Sequence, residues 1–171
     1  MYTDCYDGNN PAKGKFTLSE VTDLDQPCDQ DTVRPCDIKG ILHSHSRWTD
    51  GAHSLASMVE TARDIGMEYL GISDHFVSEN HQDGLDLDAA RVQRQEVNRL
   101  REKFSDFDIF QGIEIDTNDD GSLPVDDATL DLFDFVIAAF PNNNQQDGEA
   151  MVQRVIAAAA NPKITILGKP V

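Results

Sequence analysis

From Ile38 onward, five short apolar runs alternate with four helix-like stretches, and this alternation leaves few folds open to the chain. The runs cover residues 38–42, 69–72, 109–115, 135–139 and 164–167, and each is short enough to read as a buried strand. Between the first two, Ser54 is placed to cap a helix whose Leu55, Met58, Val59, Ala62 and Ile65 share one face, with Gly66 ending it. A second helix is expected over 88–103, with Val92, Leu100 and Phe104 facing inward, a short third over 126–132 and a fourth over 149–160. Strands that alternate singly with helices pair in parallel through right-handed crossovers, so the expectation is an α/β sheet or barrel.

In either architecture the functional rim lies at the carboxyl ends of the strands. His43 and His45 follow the first run, Asp74 and His75 the second, Glu114 lies near the end of the third, Phe140 and Pro141 follow the fourth, and Lys169 follows the fifth. The H-x-H pair 43/45 projects from one face of an extended segment. Two convergent imidazoles suit borderline ions such as zinc and manganese. Taken alone, each of these residues has a plain structural reading as a loop histidine, a turn or a satisfied core carboxylate. Their coincidence on three consecutive strand ends favours a metal site of imidazole and carboxylate, in which Glu114 is able to bridge two ions.

Composition narrows the setting. With 31 acidic and 14 basic residues the net charge is −17, which disfavours long nucleic acid without forbidding it, because such binding depends on lysine and arginine displacing counterions from phosphates. No apolar run approaches the ~20 residues of a membrane span, and the polar start MYTDCYDGNN has no apolar signal core. Cys5, Cys28 and Cys36 form neither a C-x-x-C pair nor an even framework. Together these features predict a soluble cytoplasmic protein with reduced thiols. Residues 1–36, rich in Asp, Pro, Gly and Thr, read as an irregular arm or linker, and 37–171 as the domain.

Asp116, Asn118, Asp120, Gly121 and Asp127 imitate the spacing of an EF-hand loop. A strand precedes them where a helix belongs, Pro124 interrupts them, and the closing Glu is missing. Asn118 to Gly121 is therefore read as a turn.

The runs HSHSRWTDG (43–51), YLGISDH (69–75), GLDLDAARVQRQ (84–95), GIEIDTNDDGSL (112–123), FDFVIAA (133–139) and NPKITILGKP (161–170) together resemble the PHP (polymerase and histidinol phosphatase) family. They are most like the PHP domain attached to bacterial X-family DNA polymerases and its stand-alone relatives. The resemblance implies a distorted (β/α)7 barrel that hydrolyses phosphate esters at a three-metal site, the substrate being a small phosphomonoester or a nucleic-acid 3′ end. The ions it implies are zinc or manganese, with iron and magnesium as further options. By position, His43, His45 and Glu114 correspond to ligands of the first ion and to the residues that carry catalysis. Glu114 bridges to the second ion, and Asp50 and His75 correspond to ligands of the third.

The same resemblance identifies departures. Pro141, within AAFPNNN, and Lys169, within GKP, stand where the family has histidines. The family's last Asp-x-His is expected to be absent, since residues 37–171 are far fewer than the ~250 of a usual barrel. An incomplete barrel of about five βα units is expected, truncated at its carboxyl end, with one ion site surviving. Two readings follow. One is a metal-dependent phosphoesterase with a reduced site; the other is an impaired module with a binding or structural role, in which Lys169 supplies the charge of the second ion. An open barrel also exposes strand edges, so self-association is expected.

Overall fold

The computed structural model describes Val33 and residues 37–141 and 148–169. Apart from Val33, the expected arm or linker, residues 1–36, lies outside the described residues, as do the three cysteines. Five parallel strands, β1 (Gly40–Ile41), β2 (Tyr69–Ile72), β3 (Asp108–Asp116), β4 (Phe135–Ala139) and β5 (Ile166–Gly168), form a sheet in the order β1-β2-β3-β4-β5. Helices α1 (Leu55–Asp64), α2 (Leu87–Lys103), α3 (Asp127–Leu130) and α4 (Gly148–Ala159) fill the crossovers. Each strand pairs with its neighbour in sequence and the order never reverses. That is the winding of a barrel and not of a doubly wound sheet, and the five strands form a curled half-barrel with helices between them.

Curling requires room on the inner face. A Cβ on Gly112 would lie 2.2 Å from the Phe135 ring, and one on Gly71 would lie 2.9 Å from the same ring. Two adjacent strands therefore present bare backbone where β4 inserts its aromatic side chain. Outside, α1 and α2 close over the sheet through Leu55, Val59, Leu70, Ile72, Val97, Leu100 and Phe104. A second cluster joins Leu85, Ala90, Ile113, Ile115, Leu130, Phe133 and Val136, and Trp48 packs against both. Each Leu, Ile, Val or Phe among them contributes about 1.5–3 kcal/mol on burial.

Local signals explain the helix ends. The Ser54 hydroxyl accepts from Ser57 N, capping α1 as expected. At the other end, Gly66 takes φ 85°, while its N–H reaches Arg63 O and Met67 N–H reaches Ala62 O, a Schellman closure. The cap of α2 is Asp86, which accepts from Ala89 N, so the helix starts at Leu87 and not at Asp88. Val92 corrects the expected inward face: it is 52% exposed. The buried stripe is Ala90, Gln93, Val97 and Leu100, which puts glutamine on the apolar side and moves Val92 round to solvent. Ile65 is likewise exposed, as the residue that ends α1. β1 shrinks to two residues because, as an edge strand, it is paired on one side only. β5 starts at Ile166 because Ile164 N–H is drawn into the turn after α4 by Asn161 O.

Candidate metal centre

Strand ends deliver every expected ligand to one place. His43 and His45 leave β1, Asp50 follows in the same loop, His75 follows β2, and Glu114 lies within β3, bridged in parallel to His75. Glu114 Oε2 is the common focus, at 2.9 Å from His43 Nε2, 3.2 Å from His45 Nε2 and 3.5 Å from His75 Nδ1. Asp50 approaches from the opposite side, 3.5 Å from His45 Nδ1 and 3.7 Å from His75 Nε2.

Two overlapping sets, His43/His45/Glu114 and His45/Asp50/His75, each have one ligand atom per residue within 4.8 Å of the others. The donors are nitrogen and oxygen without thiolate, a set that suits divalent borderline ions. His45 Nδ1 and His75 Nδ1 are buried with no hydrogen-bond partner among the described residues. Buried polar atoms are normally satisfied, so two unsatisfied imidazole nitrogens in one cluster fit a site made to hold a cation.

Electrostatics are shaped by the same packing. Burial pushes the Glu114 carboxyl upward, but hydrogen bonds from His45 and His43 and the nearby imidazoles prevail and bring it down to about 2. His45 is raised, chiefly by its hydrogen bond to Glu114 and against its own burial. His75 is lowered by burial, with the neighbouring His81 and His45 adding to the effect.

The loop that carries these ligands is held from below. Asp74, placed on the rim by sequence alone, is fully buried and accepts from Ser46 N at 2.7 Å and from Ser46 Oγ, Thr49 Oγ1 and Gln93 Nε2 at 2.6 Å each. Ser46 follows His45 and Thr49 precedes Asp50, so a single carboxyl fixes both ligands. Gln93 accepts in turn from Gln111 Nε2 at 2.8 Å. At Gly51 a Cβ would lie 2.1 Å from His45 O, so the loop closes on itself only without a side chain there.

Beyond β4 and β5 no imidazole reaches the rim among the described residues. Pro141 O accepts from Arg154 Nη1 at 3.2 Å. Lys169 is exposed and takes φ 49°, while Gly168 before it lies close to His43. The segment with EF-hand spacing is a turn, as read: Asn118 N–H reaches Ser122 O and Asp120 Oδ1 accepts from Ser122 N and Oγ. Its Asp116 instead accepts from Ser78 Oγ and Asn80 Nδ2.

Sequence reasoning missed Gln93, Gln111, Arg154 and His81. The first two carried a usable signal, a polar residue on an otherwise apolar helix stripe and another in an apolar strand. His81 lies in a loop without periodicity, yet its ring stacks on His75 at 3.5 Å and 10°.

Comparison with known proteins agrees with this geometry. The PHP domain family model matches residues 42–166. The chain is also 35% identical over 133 residues to the DNA polymerase/3′-5′ exonuclease PolX of Bacillus subtilis (strain 168). The match spans 78% of this chain and 23% of that protein. No helix among the described residues is long and apolar enough to cross a membrane.

Proposed function

This chain belongs to the PHP domain family, and from that premise we propose that it is a metal-dependent phosphoesterase hydrolysing small phosphate esters at the rim of β1, β2 and β3. The observation that carries the reading is the convergence of His43, His45 and His75 on Glu114, with Asp50 against His45 and His75, and with two buried imidazole nitrogens that have no hydrogen-bond partner among the described residues. His43, His45 and Glu114 would hold one ion, and Asp50 with His75 a second. A bound divalent ion there would lower the pKa of its water to about 7 and polarise the phosphoryl group.

The protein's own residues have defined tasks in this scheme. Glu114 supplies an ionised acceptor at neutral pH, since its carboxyl is held near 2. Asp74, through Ser46 and Thr49, fixes the loop positions next to His45 and Asp50. Bound cations would also reverse the local sign of a chain carrying −17, so a phosphate dianion would enter against an otherwise repulsive field. Zinc and manganese suit the donor set best.

A second reading, removal of nucleotides from a nucleic-acid 3′ end, draws on the likeness to PolX. The charge balance favours the small ester. The deciding experiment incubates the purified chain, loaded with zinc or manganese, with p-nitrophenyl phosphate and with a 3′-labelled single-stranded oligonucleotide. Chelator-sensitive release from the small ester that is lost in H43A is expected. Shortening of the oligonucleotide alone would install the second reading, and no release from either would overturn both.

A further inference from the structure

His81 is not among the residues that the metal reading requires, yet it is held against the site by a purpose-built loop. Leu85 N–H reaches His75 O at 2.8 Å and Val77 N–H reaches Leu85 O at 3.0 Å, which closes residues 77–84 into a compact excursion. Within it, Ser78 N–H and Gly84 N–H both donate to His81 O, and His81 N–H donates to Ser78 Oγ at 3.2 Å. A Cβ on Gly84 would lie 2.6 Å from the backbone of Phe76 and Val77, so only glycine permits this closure.

The excursion is also tied to the strand that bears Glu114. Asp116 accepts from Ser78 Oγ and Asn80 Nδ2, each at 2.9 Å. It stands two residues beyond Glu114, hence on the same face of β3. The result is a stack of imidazoles in which His75 is the ring that touches both others, His45 at 4.4 Å and 26° and His81 at 3.5 Å and 10°. An unsupported imidazole rotates freely about χ2, and a ring gripped by flat contacts cannot.

Building on the metal reading above, we infer that His81 is a positioning residue: stacked on His75 and locked by the Asp116 anchor, it holds the His75 ring in the plane that faces Asp50 and Glu114. It touches neither proposed ion. Its contribution is the flat contact and not a nitrogen ligand, and it therefore resides in the ring and not in the heteroatoms.

The test compares wild type, H81A, H81F and D116A in two measurements. In a zinc titration against a chromophoric chelator, H81A weakens the site by about tenfold, in the range seen when a ligand loses its supporting partner. D116A shifts it in the same direction by less, and H81F stays within about twofold of wild type. In proton NMR of the metal-free proteins, the His75 ring resonances carry a ring-current shift in wild type and H81F that H81A loses. If H81F matches H81A in the titration, a nitrogen is at work and the inference fails. It also fails if H81A leaves both the titration and the ring resonances unchanged. A wild-type chain that binds no zinc would defeat the metal reading instead, while the NMR comparison still decides the role of His81.

Discussion

The rim above β1 to β3 and the rim above β4 and β5 are built in opposite ways. On the first, buried polar groups lie beneath the surface and push chemistry outward: Gln111, Gln93 and Asp74 hold Ser46 and Thr49, and these present His45 and Asp50. On the second, the charged group itself is buried. Arg154, 1% exposed, donates from Nε to Thr117 Oγ1 and Asn118 O, from Nη1 to Pro141 O and from Nη2 to Thr117 O. A guanidinium there fastens the segments that follow β3 and β4 to α4. The candidate metal centre lies on one half of the described half-barrel, and the Arg154 hydrogen bonds lie on the other.

Exchanging the two roles by mutation tests the contrast. R154M strands buried acceptors and should lower unfolding free energy by about 1–3 kcal/mol for each one left unsatisfied, read in urea. The folded fraction should keep wild-type zinc affinity. D74N replaces one acceptor of the carboxyl by an amide N–H₂ facing existing donors. It should cost about 2–3 kcal/mol and, unlike R154M, should also weaken zinc, because Ser46 and Thr49 are released together. E114Q, unlike R154M, should weaken zinc by more than about 100-fold, beyond the loss typical of a supporting partner, and the metal-free protein should also lose at neutral pH the stability that the depressed Glu114 carboxyl contributes.

Acid should separate the halves more gently. The Glu114 carboxyl is held at about 2 against an ordinary 4.5, so the unfolded chain takes up a proton first as pH falls. The stability this group contributes is full above pH 4.5 and is lost between 4.5 and about 2. His75, lowered by burial, costs the fold stability as pH drops below 6.5. His45, raised by Glu114, favours the fold below 6.5, a benefit that fades as pH rises through its raised value. Urea midpoints of the metal-free protein across this range should fall less steeply in acid for E114Q than for wild type, while R154M should parallel wild type from a lower start. The smallest effect is expected from V92A, within about 0.5 kcal/mol, because Val92 faces solvent.

These contrasts also mark what a sequence makes readable. Parallel α/β winding was legible because apolar runs and helical faces are local and periodic, and the gathering of His43, His45, His75 and Glu114 was legible because strand ends share one rim, whereas Asp50, in the loop after β1, was expected only from the family resemblance. Val92 was misplaced because a glutamine, Gln93, occupies the inward stripe, and only its partners Asp74 and Gln111 make a buried amide tolerable. Those partners are 19 and 18 residues away, beyond any helical or strand period. Arg154 was invisible for the same reason, since its acceptors are chiefly backbone oxygens that carry no sequence signature. His81 depended on a turn fixed by Ser78, Gly84 and Asp116, three residues that become one device only after folding.

The central claim is that imidazoles and carboxylates on the first three strand ends form a divalent metal centre with Glu114 at its focus. The most direct test is calorimetric titration of zinc and of manganese into the metal-stripped chain at neutral pH, with E114Q alongside. Saturable binding by wild type that releases protons and disappears in E114Q is the predicted result. Absence of saturable binding to wild type, or equal binding by E114Q, would contradict the account.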